Sequence, residues 1–140
     1  MTPYGDVIHE HSRHPRNYGS LDAPDIRHEG FNPLCGDRVR VELALAPDGT
    51  VRAARFQGDL CAIAKAAASV LTEMLAGLTL EEVRQIEEAR LLAELSAEIQ
   101  PARRNCALLA YNVVKEALET SPDQMPQGGK PPSGRRSTKI

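Results

Sequence analysis

The sequence lacks the features that direct a chain into a membrane or a secretory pathway. No apolar run approaches the roughly 20 residues of a membrane-spanning helix. The opening residues, MTPYGD, have neither the charged nor the apolar region of a secretory signal. We therefore expect a cytoplasmic protein without membrane contacts, in a compartment where thiols stay reduced.

The sequence also lacks an excess of basic charge. It has 17 basic and 19 acidic residues, for a net charge of −2. Residues 121–140 hold four basic residues and one acidic residue, net +3, which leaves −5 on residues 1–120. That body has no excess of basic residues to form the face that nucleic-acid binding needs. Composition predicts one domain over residues 1–120 and a disordered basic tail over residues 121–140.

Hydrophobic periodicity predicts a helix and then strands in the first half of the chain. A short amphipathic helix is expected over residues 4–13 and a weak strand over residues 26–31. Residues 38–45 alternate polar and apolar side chains, and residues 51–57 return after a Pro-Asp-Gly turn. The alternation slips at residues 53–54, which indicates a bulge in this predicted hairpin.

The second half of the chain has a helical period. A helix is predicted to open at Cys61, and a capping box starts another helical segment at Thr79, which Pro101 is expected to end. A last helix covers about residues 104–119. This order of elements predicts an α+β fold. We expect a small antiparallel sheet of two to three strands, with helices packed on one face.

Cysteine is scarce, since Cys35, Cys61 and Cys106 are the only three. Three cysteines cannot all pair, which favours metal binding or chemistry over a disulfide framework. Gly36 and Asp37 follow Cys35, so one loop offers both a thiolate and a carboxylate. Cys61 and Cys106 are predicted to lie at helix N-termini, which stabilise thiolates, so both should be partly deprotonated near neutral pH.

Two other interpretations of the possible ligands stay open at this point. The cysteine spacings of 26 and 45 residues are not those of zinc knuckles, so spacing alone is weak evidence for a metal site. The cysteines could instead be buried as small apolar residues, and this interpretation fits Cys106 best. Histidines at positions 9, 11 and 14 resemble a metal cluster, but residues two apart face different sides of a helix. We expect His11 to pack or hydrogen-bond locally.

Four motifs, in order along the chain, resemble the iron–sulfur cluster scaffold family, which includes IscU, SufU and the NifU N-terminal domain. Three of them contain one cysteine each, and the resemblance runs from about residue 4 to residue 119. The motifs are HPRNYG at residues 14–19 with Tyr4, Ile8 and His11 ahead of it, GFNPLCGDR at 30–38, FQGDLCAI at 56–63 with AAAS at 66–69, and PARRNCALLAY at 101–111.

The resemblance implies a scaffold rather than an enzyme. Cys35, Cys61 and Cys106 would bind a transient 2Fe-2S cluster, and Asp37 would be its weak fourth ligand. Sulfur would arrive as persulfide from a cysteine desulfurase, with Cys35 and Cys106 as candidate sulfur acceptors. The partners would be that desulfurase and the apo iron–sulfur proteins that receive the cluster.

The same four ligands suit zinc, which gives an alternative: a SufU-like, zinc-dependent sulfurtransferase with Arg103 as a candidate desulfurase contact. The spacing of 45 residues between Cys61 and Cys106 is short, as in IscU. The residue before Cys106 is Asn105, where IscU has a histidine and SufU usually has a basic residue. Residues 99–103 keep one proline of the chaperone-docking segment of IscU, which argues against chaperone docking. A purely structural zinc domain is a third interpretation, disfavoured because a chain of this length has core enough to fold alone.

Overall fold

A computed structural model describes residues 5–120 of the chain. Tyr4, from the first motif, and the predicted disordered tail over residues 121–140 lie outside the described residues. The described elements are α1 (Asp6–Arg13), β1 (Ile26–Asn32), β2 (Asp37–Leu45), β3 (Val51–Asp59), α2 (Ala62–Leu75), α3 (Leu80–Arg84), α4 (Glu88–Glu94), α5 (Pro101–Ala107) and α6 (Leu109–Thr120).

The three strands form one antiparallel sheet in the order β1-β2-β3. The predicted α+β fold is therefore confirmed, and residues 26–31 do contribute a strand. The predicted bulge is present but slightly displaced. Ala44 pairs with Ala53 and Leu45 pairs with Val51, so Arg52 is the extra residue.

The core lies between the sheet and the helices. Val39, Val41 and Leu43 alternate along β2 and are buried, because their side chains all point to one face. Helix α6 packs on β1 and β2, whereas α2 packs on β3. Gly30 permits the close approach of α6, since a side chain at that position would collide with Val113.

Helix α1 and the loop after it are attached to α2 by hydrogen bonds, and Ile8 of α1 is buried. His11 Nδ1 lies 2.7 Å from the hydroxyl of Ser69, which is fully buried and also accepts a hydrogen bond from the Arg16 backbone N–H. Asn17 donates to Thr72 at 3.1 Å. The prediction that His11 packs or hydrogen-bonds locally is therefore correct as to the hydrogen bond, but the partner lies 58 residues away in the sequence and on another helix.

The predicted last helix is two helices, and this changes the setting of Cys106. Helix α5 begins at Pro101 and α6 begins at Leu109, so Cys106 lies in the last turn of α5. The prediction that Cys106 opens a helix is wrong. The reason is that proline fits the first helical position, where its missing N–H costs nothing, so Pro101 starts a helix instead of ending one.

The strand register brings distant parts of the chain to one end of the sheet. Asn32 pairs with Asp37 across the β1–β2 turn, and Arg38 pairs with Asp59 at the end of β3. The turn that contains Cys35 therefore lies beside the segment that leads into α2. No helix within residues 5–120 is both long and apolar enough to span a membrane.

Candidate metal centre

The backbone of Asn32 shapes the loop that presents Cys35. Its carbonyl accepts hydrogen bonds from the backbone N–H groups of Cys35 at 3.3 Å and Gly36 at 2.8 Å, and its side-chain oxygen accepts one from Leu34. Gly36 has a φ of 78°, a conformation that side chains disfavour. This turn leaves Cys35 exposed and sends the chain into β2 at Asp37.

Asp37 is a buried carboxylate with one unsatisfied oxygen. The residue is 6% exposed, and its Oδ1 accepts a hydrogen bond from the backbone N–H of Cys61 at 3.1 Å. Its Oδ2 is buried without a hydrogen-bond partner among residues 5–120. An orphaned carboxylate oxygen is costly, because its lost hydration is not replaced. A bound cation at this position would supply the missing partner.

Cys106 meets Cys35 across 71 residues of sequence. The Cys106 side chain is buried, and its Sγ lies 3.4 Å from the Sγ of Cys35, with the Cys106 thiol as the donor. Ligand atoms of Cys35, Asp37 and Cys106 all lie within 4.8 Å of one another. Two sulfurs and a carboxylate oxygen are therefore close enough to bind one metal ion.

Cys61 lies beside this group and not inside it. It is the N-cap of α2, and its Sγ accepts a hydrogen bond from the backbone N–H of Ala64 at 3.4 Å. The prediction that Cys61 opens a helix is confirmed. It is connected to the group by the hydrogen bond from its backbone N–H to Asp37, and its thiol also interacts with the Asp37 carboxylate. The structure thus brings three of the four predicted ligands together and places the fourth next to them.

The prediction that Cys61 and Cys106 are partly deprotonated is wrong. Burial raises the pKa of the Cys61 thiol, which outweighs the opposing hydrogen bond from the Ala64 N–H, and Asp37 raises it further. Burial also raises the pKa of Cys106 to about 12, with smaller contributions from Cys35, Cys61 and Asp37. A divalent cation reverses this balance, since it deprotonates the thiols that coordinate it.

The sequence did not reveal two exposed apolar side chains in and next to the cysteine loop. Leu34, directly before Cys35, is 86% exposed, and Phe31 is 53% exposed. The guanidinium carbon of Arg38 lies over the Phe31 ring, 5.3 Å from the ring centre. A leucine within an otherwise polar cysteine loop was the available signal. Arg103, the candidate desulfurase contact, is exposed in the first turn of α5 on the chain segment that leads to Cys106.

Comparison with known proteins gives related sequences over most of the chain. A family model described as the NifU-like N terminal domain matches residues 3–125. The iron-sulfur cluster assembly scaffold protein IscU of Azotobacter vinelandii is 34% identical over 118 residues, covering 82% of this chain and 91% of that protein. IscU of Escherichia coli (strain K12) is 31% identical over 119 residues, covering 82% and 91%.

Solved structures show the same fold. A SUF-system iron-sulfur cluster assembly scaffold protein from Fervidobacterium islandicum AW-1 aligns with a TM-score of 0.70 at 23% identity, covering 82% of this chain and 96% of that one. A NifU-like N-terminal protein from Brucella abortus aligns with a TM-score of 0.67 at 24% identity, covering 82% and 91%.

The three-stranded antiparallel sheet with its helices is thus the fold of the SufU- and NifU-like scaffold proteins. The chain belongs to the family of the NifU-like N terminal domain. The resemblance given by the four motifs is confirmed.

Proposed function

We propose that this protein is a scaffold on which a labile iron–sulfur cluster is assembled before transfer to apo-proteins. Cys35, Asp37, Cys61 and Cys106 bind the cluster, of the 2Fe-2S type, and a cysteine desulfurase supplies the sulfur as persulfide. The observation that carries the proposal is the convergence of Cys35, Asp37 and Cys106 within 4.8 Å, with Cys61 adjacent.

The chemistry of the donor set fits a cluster that must leave. Thiolates are the usual ligands of iron–sulfur clusters, so the three cysteines supply affinity. A carboxylate is a hard ligand and a poorer match for a soft cluster. The bond from Asp37 to the cluster is therefore the weakest of the four, and the unpartnered Oδ2 of Asp37 supports its role as a ligand.

The unequal burial of the ligands fits a site that opens on one side. Cys35 is exposed, whereas Asp37 and Cys106 are buried. Sulfur and iron reach the site past Cys35, and the cluster leaves by the same route. Leu34 and Phe31 lie on this open side, where the desulfurase and the acceptor proteins have to approach.

A second candidate function is a zinc-dependent sulfurtransferase that accepts persulfide sulfur from the desulfurase. The observation that favours it is that ligand atoms within 4.8 Å suit one tetrahedral ion as well as a cluster. In that function zinc orders the site, one cysteine leaves the metal to take sulfur, and Arg103 contacts the desulfurase.

Purification without oxygen, followed by metal analysis and a visible spectrum, separates the two functions. A scaffold is brown, or turns brown when iron, cysteine and a cysteine desulfurase are added, and then passes its cluster to apo-ferredoxin. A sulfurtransferase is colourless, contains one zinc ion per chain and stimulates desulfurase turnover. A protein that does neither contradicts both functions.

A further inference from the structure

Cys35 and Cys106 form a thiol pair of unequal access. Cys35 lies on an exposed loop, and Cys106 is 3% exposed, so a reagent from solvent reaches Cys35 first. Their sulfurs are 3.4 Å apart, so the two residues can react without a rearrangement of the loop. The sulfur of the third cysteine, Cys61, accepts a hydrogen bond from the backbone N–H of Ala64 as the cap of α2, and it also interacts with the Asp37 carboxylate.

We propose that Cys106 is a resolving thiol that releases sulfide from a persulfide on Cys35. The inference rests on the proposed function, because it requires that Cys35 accept the persulfide sulfur. It adds an order to the two candidate acceptors: Cys35 receives the sulfur, and Cys106 frees it. The atom that Cys106 attacks, the Sγ of Cys35, is the atom already in contact with it.

The step balances without an added oxidant. The Cys106 Sγ bonds to the Cys35 Sγ, and the bond between that Sγ and the outer sulfur breaks. The outer sulfur leaves with the electron pair, and with the Cys106 proton it forms hydrogen sulfide. The sulfane sulfur is reduced to sulfide, and the two cysteines are oxidised to a disulfide. A dithiol reductant then returns two electrons and two protons to restore both thiols.

The geometry favours this step over transfer of sulfur onto Cys106. Transfer would leave a persulfide in the last turn of α5, where Cys106 is buried. Resolution instead leaves a disulfide between two sulfurs that already touch. The sulfide is released beside Asp37, which has a carboxylate oxygen within 4.8 Å of the Cys35 sulfur.

The test uses the full chain, freed of metal with a chelator and kept without oxygen at low micromolar concentration. One equivalent of glutathione persulfide serves as the sulfur donor. The intact mass of the wild-type chain is expected to fall by the mass of two hydrogen atoms relative to the reduced form, and about one molecule of hydrogen sulfide should be released per chain. Peptide mapping should find a bond between Cys35 and Cys106, with Cys61 still a free thiol.

Two variants isolate the resolving thiol. Cys106→Ser and Cys106→Ala should each retain a persulfide on Cys35, seen as one added sulfur in the intact mass, with sulfide release lost. Ala107→Ser is the matched control, because it places a hydroxyl at a fully buried neighbouring position and keeps both cysteines. It should behave as wild type. Circular dichroism checks that each variant is folded, and the wild-type peptide map tests the inference even if the Cys106 variants unfold.

Several results would overturn the inference. These are a stable persulfide on Cys35 in the wild type, the added sulfur on the Cys106 peptide, a disulfide to Cys61, or sulfide release by a folded Cys106 variant at the wild-type rate. Failure of the proposed function gives a different result, since the wild-type chain then takes up neither sulfur on Cys35 nor iron. Iron binding with an unresolved Cys35 persulfide rejects only the inference.

Discussion

The carboxylate of Asp37 accepts a hydrogen bond from the backbone N–H of Cys61 at 3.1 Å, which joins the start of β2 to the start of α2. This contact fixes the position of Cys61 relative to Asp37 without using the Cys61 sulfur. The other carboxylate oxygen of Asp37 has no partner among residues 5–120. One side chain therefore holds the start of α2 with one oxygen and leaves the other oxygen available to the proposed metal.

Asp37→Ala is expected to slow the departure of the cluster severalfold. The variant removes the hard ligand and leaves the three thiolates, which bind iron–sulfur clusters more strongly. Reconstituted wild type and variant are mixed with apo-ferredoxin, and the rise of ferredoxin absorbance is timed. Asp59→Ala, at the exposed end of β3, is the control and should transfer at the wild-type rate. Release by Asp37→Ala at an equal or faster rate contradicts this role.

Cys61 has two separable roles, as a helix cap and as a ligand. Cys61→Ser keeps an N-cap acceptor for the Ala64 N–H, whereas Cys61→Ala removes it. In the metal-free protein, Cys61→Ala should be less stable than Cys61→Ser by about 1 kcal/mol. Urea unfolding measures this difference. Both variants should lose the cluster, and equal stability of the two would show that the cap does not contribute.

Gly30→Ala should destabilise the fold by roughly 1–3 kcal/mol, because its new methyl group collides with Val113 on α6. The free energy of unfolding in urea measures the loss. Val113→Ala removes the obstructing atoms, so the double variant Gly30→Ala/Val113→Ala should lose less than the sum of the single variants. Additive losses would mean that the two positions do not touch.

The burial of His11 predicts a pH-dependent stability. Burial lowers the pKa of His11 below its usual 6.5, and Arg16 lowers it further, against opposing effects of Glu73 and Glu10. The unfolded chain therefore takes up a proton at a higher pH than the folded chain does. This contribution to stability is complete above about pH 6.5 and declines as the pH falls from there to the lowered folded-state pKa.

His11→Gln tests that prediction. At pH 8 the free energy of unfolding of the variant should be about 1 kcal/mol below that of the wild type, because the variant loses the hydrogen bond to Ser69. Below pH 6.5 its stability should fall less steeply than that of the wild type. His9→Gln, at an exposed position of the same helix, should keep the wild-type pH profile. Parallel profiles for wild type and His11→Gln count against the assignment.

The fold was largely predictable because its strands and helices have clear periods. The alternation of Val39, Val41 and Leu43 predicted β2 and its buried face, and the capping box at Thr79 is present with both of its hydrogen bonds. The helix around Cys106 was misplaced because Pro101 was read as a helix end. Proline ends some helices and begins others, and the local sequence does not distinguish these cases.

The site was predictable in composition but not in geometry. The four motifs identified the candidate ligands, yet no spacing rule brings Cys106 to Cys35, since that contact depends on where the packing of α5 on α2 places Cys106. The pKa predictions failed for the same reason. They considered helix ends alone, whereas burial has the largest effect on the pKa of both Cys61 and Cys106. The outward position of Leu34 likewise depends on the turn that Asn32 forms.

Cobalt binding measures whether the three cysteines and Asp37 hold one ion together, because thiolate-to-cobalt absorbance reports how many cysteines coordinate it. We expect one tetrahedral cobalt ion per chain, with the absorbance of three thiolates. Substitution of Cys35, Cys61 or Cys106 by serine should each remove about one third of that absorbance. Asp37→Ala should keep it while shifting the visible bands of the metal. Full wild-type absorbance in any of the three cysteine variants would show that the substituted cysteine is not a ligand.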